Sequence, residues 1–244
     1  MEQLATILAV DDTPENLAIL SDLLKGQYRI LLAKSGDKAL KLAAEQKPDL
    51  VLLDIMMPEM DGHEVCRRLQ AAGATATIPS IFWTAIQAPE DETRGLEMGA
   101  VDFVTKPFNP ATLLARVRTH LKLKTYTDHL EREVATRTRE LEAIQNVTIL
   151  TLASLAETRD NETGKHIIRT KEYIKVLAEQ AAALPRYRDA LDAAMIATIH
   201  KSAPLHDIGK VGIPDTILLK PGRFDPAEME VMKTHTTLGR EAIQ

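Results

Sequence analysis

Five side chains are spaced as if for chemistry. Asp11 and Asp12 follow the apolar run LATILAV (4–10), Asp54 closes DLVLLD, Thr84 ends SIFWT, and Lys106 follows VDFVT. If those runs are parallel strands of one sheet, their C-terminal ends share an edge, and the five side chains converge there. Three carboxylates that close repel one another unless a hard cation lies among them. Oxygen ligands beside an expected phosphate suit Mg²⁺. Asp54 then has the character of a nucleophile that forms an acyl phosphate. Lys106 and the Thr84 hydroxyl would neutralise and hydrogen-bond the transferred group. Alone, Asp11-Asp12 reads equally well as a cap for the helix opening at Pro14; the combination of five positions argues for chemistry.

A second set lies between 160 and 235. Glu162 and His166 are spaced i,i+4 in ETGKH, which puts them on one face if the segment is helical. His206-Asp207 forms an adjacent pair in PLHDIGK. His235 follows Met232 by three residues in MKTH, on an otherwise apolar helical face. Imidazole and carboxylate without thiolate suit Fe, Mn or another borderline metal that activates water. Lys210, about one helical turn past His206, is placed to hold a phosphate oxygen or assist a leaving group. Any one of these residues alone is weak evidence, because a buried histidine is more often structural than a ligand. His63, His120 and His129 lack partners at metal spacing and read as solvated; His200 reads as structural.

The elements that must position these residues are legible as periodic patterns. The five short apolar runs, including RILLA, alternate with helical patterns from Pro14 and near 37–46, 62–72, 90–98 and 110–124. Alternating strand and helix predicts a parallel sheet covered on both faces. From 110 onward the chain turns strongly helical. Leu130, Val134, Arg137, Leu141 and Ile144 follow a 4-3-4-3 spacing, a short coiled-coil seam with one polar position. A helix over 110–155 would be roughly 70 Å long, a length suited to a connecting rod. Further helical patterns cover 146–158, 165–183 and 189–205, and Asp225-Pro226-Ala227-Glu228 reads as a helix start. The organisation expected is 1–124, a linker helix over 125–150, and a mostly helical part over 151–244.

Composition narrows the function. With 244 residues, 45% hydrophobic and 27% charged, the chain can bury two cores. A net charge of −5 and only 4% aromatic residues speak against nucleic-acid binding. No apolar run is long enough to span a membrane, and the N-terminus lacks a signal-peptide pattern, so a cytoplasmic protein without a membrane partner is expected. The single cysteine, Cys66, reads as a small buried hydrophobe.

Residues 1–124 resemble a response-regulator receiver domain through AVDDTPEN, LLDIMMPEMDG, WTA and VDFVTKPF. The resemblance implies a flavodoxin-like fold with strand order 2-1-3-4-5. It implies Asp54 as phosphoacceptor for a sensor histidine kinase, and Mg²⁺ bound by Asp12, Asp54 and the Met56 carbonyl with help from Asp11. Thr84 and Phe103 would be the switch pair, and Lys106 would contact the phosphoryl group. The Lys106-Pro107 bond is often cis in that family.

Residues 146–244 resemble the HD-GYP phosphohydrolases, cyclic di-GMP phosphodiesterases, through RDNETGKHIIRTKEYIKVLA, APLHDIGKVGIPDTILLKPGRF and MKTHTTLG. That likeness implies Glu162, His166, His206, Asp207 and His235 as ligands of two or three Fe or Mn ions, with Lys210 catalytic or phosphate-contacting. In that family a His-His pair, the GYP loop and a final Asp ligand follow the helix bearing His235. The sequence ends at Gln244, before them. The expectation is therefore an incomplete output domain: either a fragment of a longer enzyme or an inert domain under receiver control, with a homodimer formed through the linker.

Overall fold

The computed structural model describes residues 4–84, 98–107, 109–159 and 165–244. Most of the helix expected at 90–98 and all of Glu162 lie outside the described residues. The chain divides into two compact units, 1–133 and 134–244, with the boundary inside one long helix. Among the described residues no helix is long and apolar enough to cross a membrane.

The first unit is built on five parallel strands, β1 (Thr6–Val10), β2 (Arg29–Ala33), β3 (Leu50–Leu53), β4 (Ser80–Thr84) and β5 (Asp102–Thr105), in the order 2-1-3-4-5. Side chains alternate across a strand. Leu8 and Val10 join Val51, Leu53, Phe82 and Phe103 on one face; Ile7 and Ala9 join Leu50, Leu52, Ile81 and Trp83 on the other. Both faces are apolar, so both must be covered. Helices α2 (Gly36–Gln46) and α3 (Gly62–Ala71) supply Ala39, Ala43, Val65 and Leu69 to the first face. Helix α1 (Pro14–Leu24) supplies Leu17, Leu20 and Leu24 to the second, and α4 (Pro110–Glu157) adds Leu113, Val117 and Leu121. Cys66 is fully buried in the first core, and burial raises its thiol pKa.

The helical patterns expected at 110–124 and 146–158 are one helix of 48 residues. Leu130, Val134, Leu141 and Ile144 are 59%, 64%, 60% and 63% exposed on the single chain. Such a stripe has nothing to pack on within its own helix.

The second unit is helical: α5 (Lys165–Ala182), α6 (Ala193–Ser202), α7 (Asp215–Leu218), α8 (Pro226–Lys233) and α9 (His235–Ile243), with short 3₁₀ turns at Ala203–Leu205 and Ile208–Gly212. The expected helix over 189–205 is shorter. It starts after Asp192, whose carboxylate accepts the Met195 N–H at 2.7 Å, and Pro204 leaves only a 3₁₀ turn beyond Ser202. The helix start at Asp225 has the full capping box, Asp225 accepting from Glu228 N–H and Glu228 from Asp225 N–H. His235 does not sit on the Met232 helix: that helix ends at Lys233, and His235 opens the next one.

Candidate functional site

Strand ladders place the acidic edge. Asp54 N–H donates to Val10 O (2.9 Å), Asp11 N–H to Ala33 O (3.2 Å) and Lys106 N–H to Thr84 O (2.8 Å). Asp54, Asp11 and Lys106 each stand one residue past their strand and are still hydrogen-bonded to the neighbouring strand, which holds their side chains at the sheet's C-terminal edge. Oxygens of Asp11, Asp12 and Asp54 all lie within 4.8 Å of one another. Lys106 Nζ bridges them, 2.7 Å from Asp11 Oδ2 and 2.7 Å from Asp54 Oδ2, and lies 4.0 Å over the Trp83 ring. The Lys106-Pro107 bond is cis. Burial pushes the Asp54 carboxyl above its ordinary value, and the Lys106 hydrogen bond pulls it back in part. One lysine among three carboxylates leaves a deficit of positive charge. An all-oxygen donor set with spare negative charge fits Mg²⁺.

The other residues of this edge are positioned as follows. Met56 N–H donates to Asp54 Oδ1 at 3.3 Å, while the Met56 side chain is exposed. Thr84 is buried at the end of β4. Phe103 is buried beside Phe82, its partner across the β4–β5 ladder. Gly62 lets the loop after β3 close, since a Cβ there would stand 2.2 Å from Asp54 O. Asn16 was not singled out from the sequence: its amide donates to both Asp11 oxygens at 3.0 Å. Its place in AVDDTPEN, in the first turn of α1, was the available signal.

In the second unit Asp207 is the hub. Its Oδ2 lies 3.2 Å from His206 Nε2 and 2.8 Å from Lys210 Nζ, and its Oδ1 lies 3.7 Å from His235 Nε2. His206 Nδ1 donates to Ala203 O (3.0 Å) and His235 Nδ1 to Met232 O (2.6 Å). A carbonyl only accepts, so each ring carries a proton on Nδ1 and turns Nε2 toward the Asp207 carboxylate. Nδ1 anchored on a backbone carbonyl, with Nε2 presented to a carboxylate-lined space, is the orientation that metal-ligating histidines take. The nitrogen and oxygen donors fit Fe or Mn. His166 is near but separate, its ring 6.0 Å from that of His206 and its Nε2 3.4 Å from Thr170 Oγ1. Among the described residues, only the acidic edge gathers three or more such ligands within 4.8 Å; the His-Asp set approaches in pairs. Glycines bring His235 in. A Cβ on Gly209 would stand 1.9 Å from His235 O and 2.5 Å from Gly239 N, so α9 packs backbone to backbone on the His-Asp turn.

Two histidines expected in solvent are placed otherwise. His120 pairs with Asp102 at 2.9 Å and is largely buried, and the His63 ring packs edge-on against Phe82 at 5.0 Å. In both cases the partner comes from a distant strand, which local spacing does not reveal. His129 is exposed, and His200 bonds Glu172 at 3.1 Å.

Residues 7–118 match the response regulator receiver domain, and residues 163–244 match the HD domain. The chain joins a receiver domain to an HD domain. It is 50% identical over its whole length to a probable cyclic di-GMP phosphodiesterase of Vibrio cholerae, covering 57% of that protein. Over 84% of its length it is 34% identical to the cyclic di-GMP phosphodiesterase response regulator RpfG of Xanthomonas campestris, covering 54% of it. The chain thus spans a little over half the length of these relatives. Among solved structures, the BeF3-activated DrrB receiver domain is 34% identical, with a TM-score of 0.45 over 49% of this chain and 99% of that one.

Proposed function

We propose that the chain is the regulatory part and the start of the output domain of a phosphorylation-controlled cyclic di-GMP phosphodiesterase. The boundaries we assign are 1–124 for the receiver, 125–150 for a dimerising linker helix and 151–244 for part of the phosphohydrolase domain. The observation that carries the reading is the Lys106 bridge between two buried carboxylates in an acidic trio.

An Asp54 oxygen forms a bond to phosphorus as the bond to the phosphodonor, a histidine of a sensor kinase, breaks. Lys106 leaves its carboxylate contacts in part to neutralise the phosphoryl oxygens, and the Thr84 hydroxyl donates to one of them. Asp11, Asp12, Asp54 and the Met56 carbonyl would hold Mg²⁺, which supplies charge neutralisation for the transfer. Phe103 moves with Thr84 as the switch aromatic. In the output domain His206, Asp207 and His235, with Glu162 and His166, would hold Fe or Mn, which supplies an activated water for phosphodiester hydrolysis. Lys210 contacts the phosphate. We place the protein in the cytoplasm with its kinase.

Acetyl phosphate with Mg²⁺ should label the wild-type chain, and Asp54→Asn should lose the label entirely. Equal labelling of the Asn variant would remove the assignment. Replacing Leu141 and Ile144 by Lys should turn a dimer into a monomer in sedimentation; a wild type that is monomeric at high micromolar concentration would refute the linker's role.

A second reading, a phosphorylation-dependent switch without turnover, is favoured by one observation: among the described residues the His-Asp ligands approach only in pairs. Robust cyclic di-GMP turnover by the 244 residues with added Mn²⁺, lost in His206→Ala, would exclude it.

A further inference from the structure

The last turns of α4 grip the His-Asp turn from both sides. On the upstream side Gln145 Oε1 accepts from Lys201 Nζ, on the helix that leads into His206. On the downstream side Arg159, two residues past the end of α4, spreads its guanidinium over the segment after Lys210. It donates to Val211 O, to Ile213 O (3.5 Å) and to the Asp215 carboxylate. Three acceptors from one planar fork fix the orientation of that segment as well as its distance. Hydrogen bonds carry the constraint inward: Ile213 N–H donates to Lys210 O (3.1 Å), and Lys210 N–H to Asp207 O (2.9 Å). Between the two ties, Ala153 and Ala156 are buried, and with Glu157 they line a small cavity against Pro204, His206, Asp207 and Lys210. Alanines there bring the helix backbone close to the turn.

We propose that Arg159, with Gln145, is the positioning clamp through which α4 sets the geometry of the His206-Asp207 pair. Among the described residues, the acceptors of Arg159 are two backbone carbonyls and the Asp215 carboxylate, so it acts on the segment next to the His-Asp turn. A rotation or axial shift of α4 must move the Arg159 fork, and the 211–215 segment follows it. The inference rests on the reading of Asp54 as phosphoacceptor, because receiver phosphorylation is the input that the clamp relays.

Hydrogen–deuterium exchange on the full chain, with and without acetyl phosphate and Mg²⁺, tests it without any metal in the HD domain. In wild type, amides over 203–215 should change exchange at least twofold upon phosphorylation. In Arg159→Ala the 211–215 amides should exchange at least tenfold faster at rest, since about tenfold is the effect of losing even one of its three charge-assisted hydrogen bonds. They should no longer respond, while Asp54 labels as in wild type. Arg159→Lys keeps the charge but not the fork and should respond weakly. If Arg159→Ala loses helical circular dichroism, Gln145→Ala and Arg159→Lys decide. A full wild-type response in those variants overturns the clamp. Labelling of Asp54 with no change over 203–215 in wild type also overturns the clamp and leaves the receiver reading intact. No labelling of wild type overturns both.

Discussion

The receiver's acidic edge and the His-Asp turn use the same kind of parts, carboxylates held beside a lysine, under different constraints. At the acidic edge each group ends a strand of a sheet buried on both faces. Strand spacing forces like charges together, and Lys106 must serve two carboxylates at 2.7 Å each. At the turn, Asp207 is served by its own neighbours, His206 and Lys210, and by His235 at 3.7 Å. Two of its three partners come from its own turn, so most of its pairing needs no long-range convergence. Strands impose a site; a helical turn only permits one.

Removing the lysine from each place separates the two cases, and it should give the largest difference. Asp11 is fully buried and Asp54 is 7% exposed, so Lys106→Ala leaves buried charge without its shared cation. The expected loss is about 3 kcal/mol in urea unfolding without Mg²⁺. Trp83 is the single tryptophan and lies under Lys106, so its fluorescence follows the receiver alone. Lys210→Ala should cost about 1 kcal/mol or less by the circular dichroism of the helical unit, because Asp207 keeps both histidines. Equal losses would mean that strand-imposed crowding is not what sets the receiver apart.

The same contrast explains what could be read from the sequence. The strand ends were legible, because an apolar run followed by a polar residue marks both the strand and its exit. β2 matches RILLA residue for residue, and Asp11 and Asp54 stand directly after the runs that form β1 and β3. The helical unit was legible at its caps, such as Asp225, whose partner is three residues away. Partners from far along the chain were not. Asp102 takes His120 and Arg116 across the strand–helix interface, and Arg159 finds acceptors 52 to 56 residues on. No local pattern encodes such pairs. The break between Lys233 and His235 was also missed, since MKTH continues the helical periodicity across it.

Two glycines sharpen the comparison at a smaller scale. Gly62→Ala drives a Cβ to 2.2 Å from Asp54 O, against a strand that cannot retreat. The cost should be about 2 kcal/mol, with slower labelling of Asp54 by acetyl phosphate. Gly209→Ala makes an even closer contact, 1.9 Å to His235 O, but α9 can move away from the turn. Its cost should be about 1 kcal/mol, and the trace should be a shift of the His235 imidazole resonances. A larger loss for Gly209→Ala than for Gly62→Ala would show that the helical unit is the more rigid of the two.

The smallest effect is a pH dependence confined to one of the two places. Burial raises the Asp54 carboxyl above its ordinary 3.8, so without Mg²⁺ the folded chain holds that proton more tightly than the unfolded chain does. Between 3.8 and the raised value the folded state binds more protons, and stability falls as pH climbs through that window. Above it the wild type carries a constant penalty that an amide does not. Asp54→Asn should therefore melt a few degrees above wild type at neutral pH in chelator, and the gap should close as pH falls toward 3.8. Glu64 titrates with the opposite sign, held at about 2 by Arg67 and Arg68 on the surface of α3, so any stability it contributes is lost as pH falls from 4.5 through about 2. It is present in both proteins and cancels in the difference. Mg²⁺ should narrow the neutral-pH gap from the other side, because it stabilises the wild-type trio and has less to bind in the Asn variant. A gap that stays constant from neutral pH to below 3.8, or that Mg²⁺ leaves untouched, would show that buried carboxylate charge is not what strains the acidic edge.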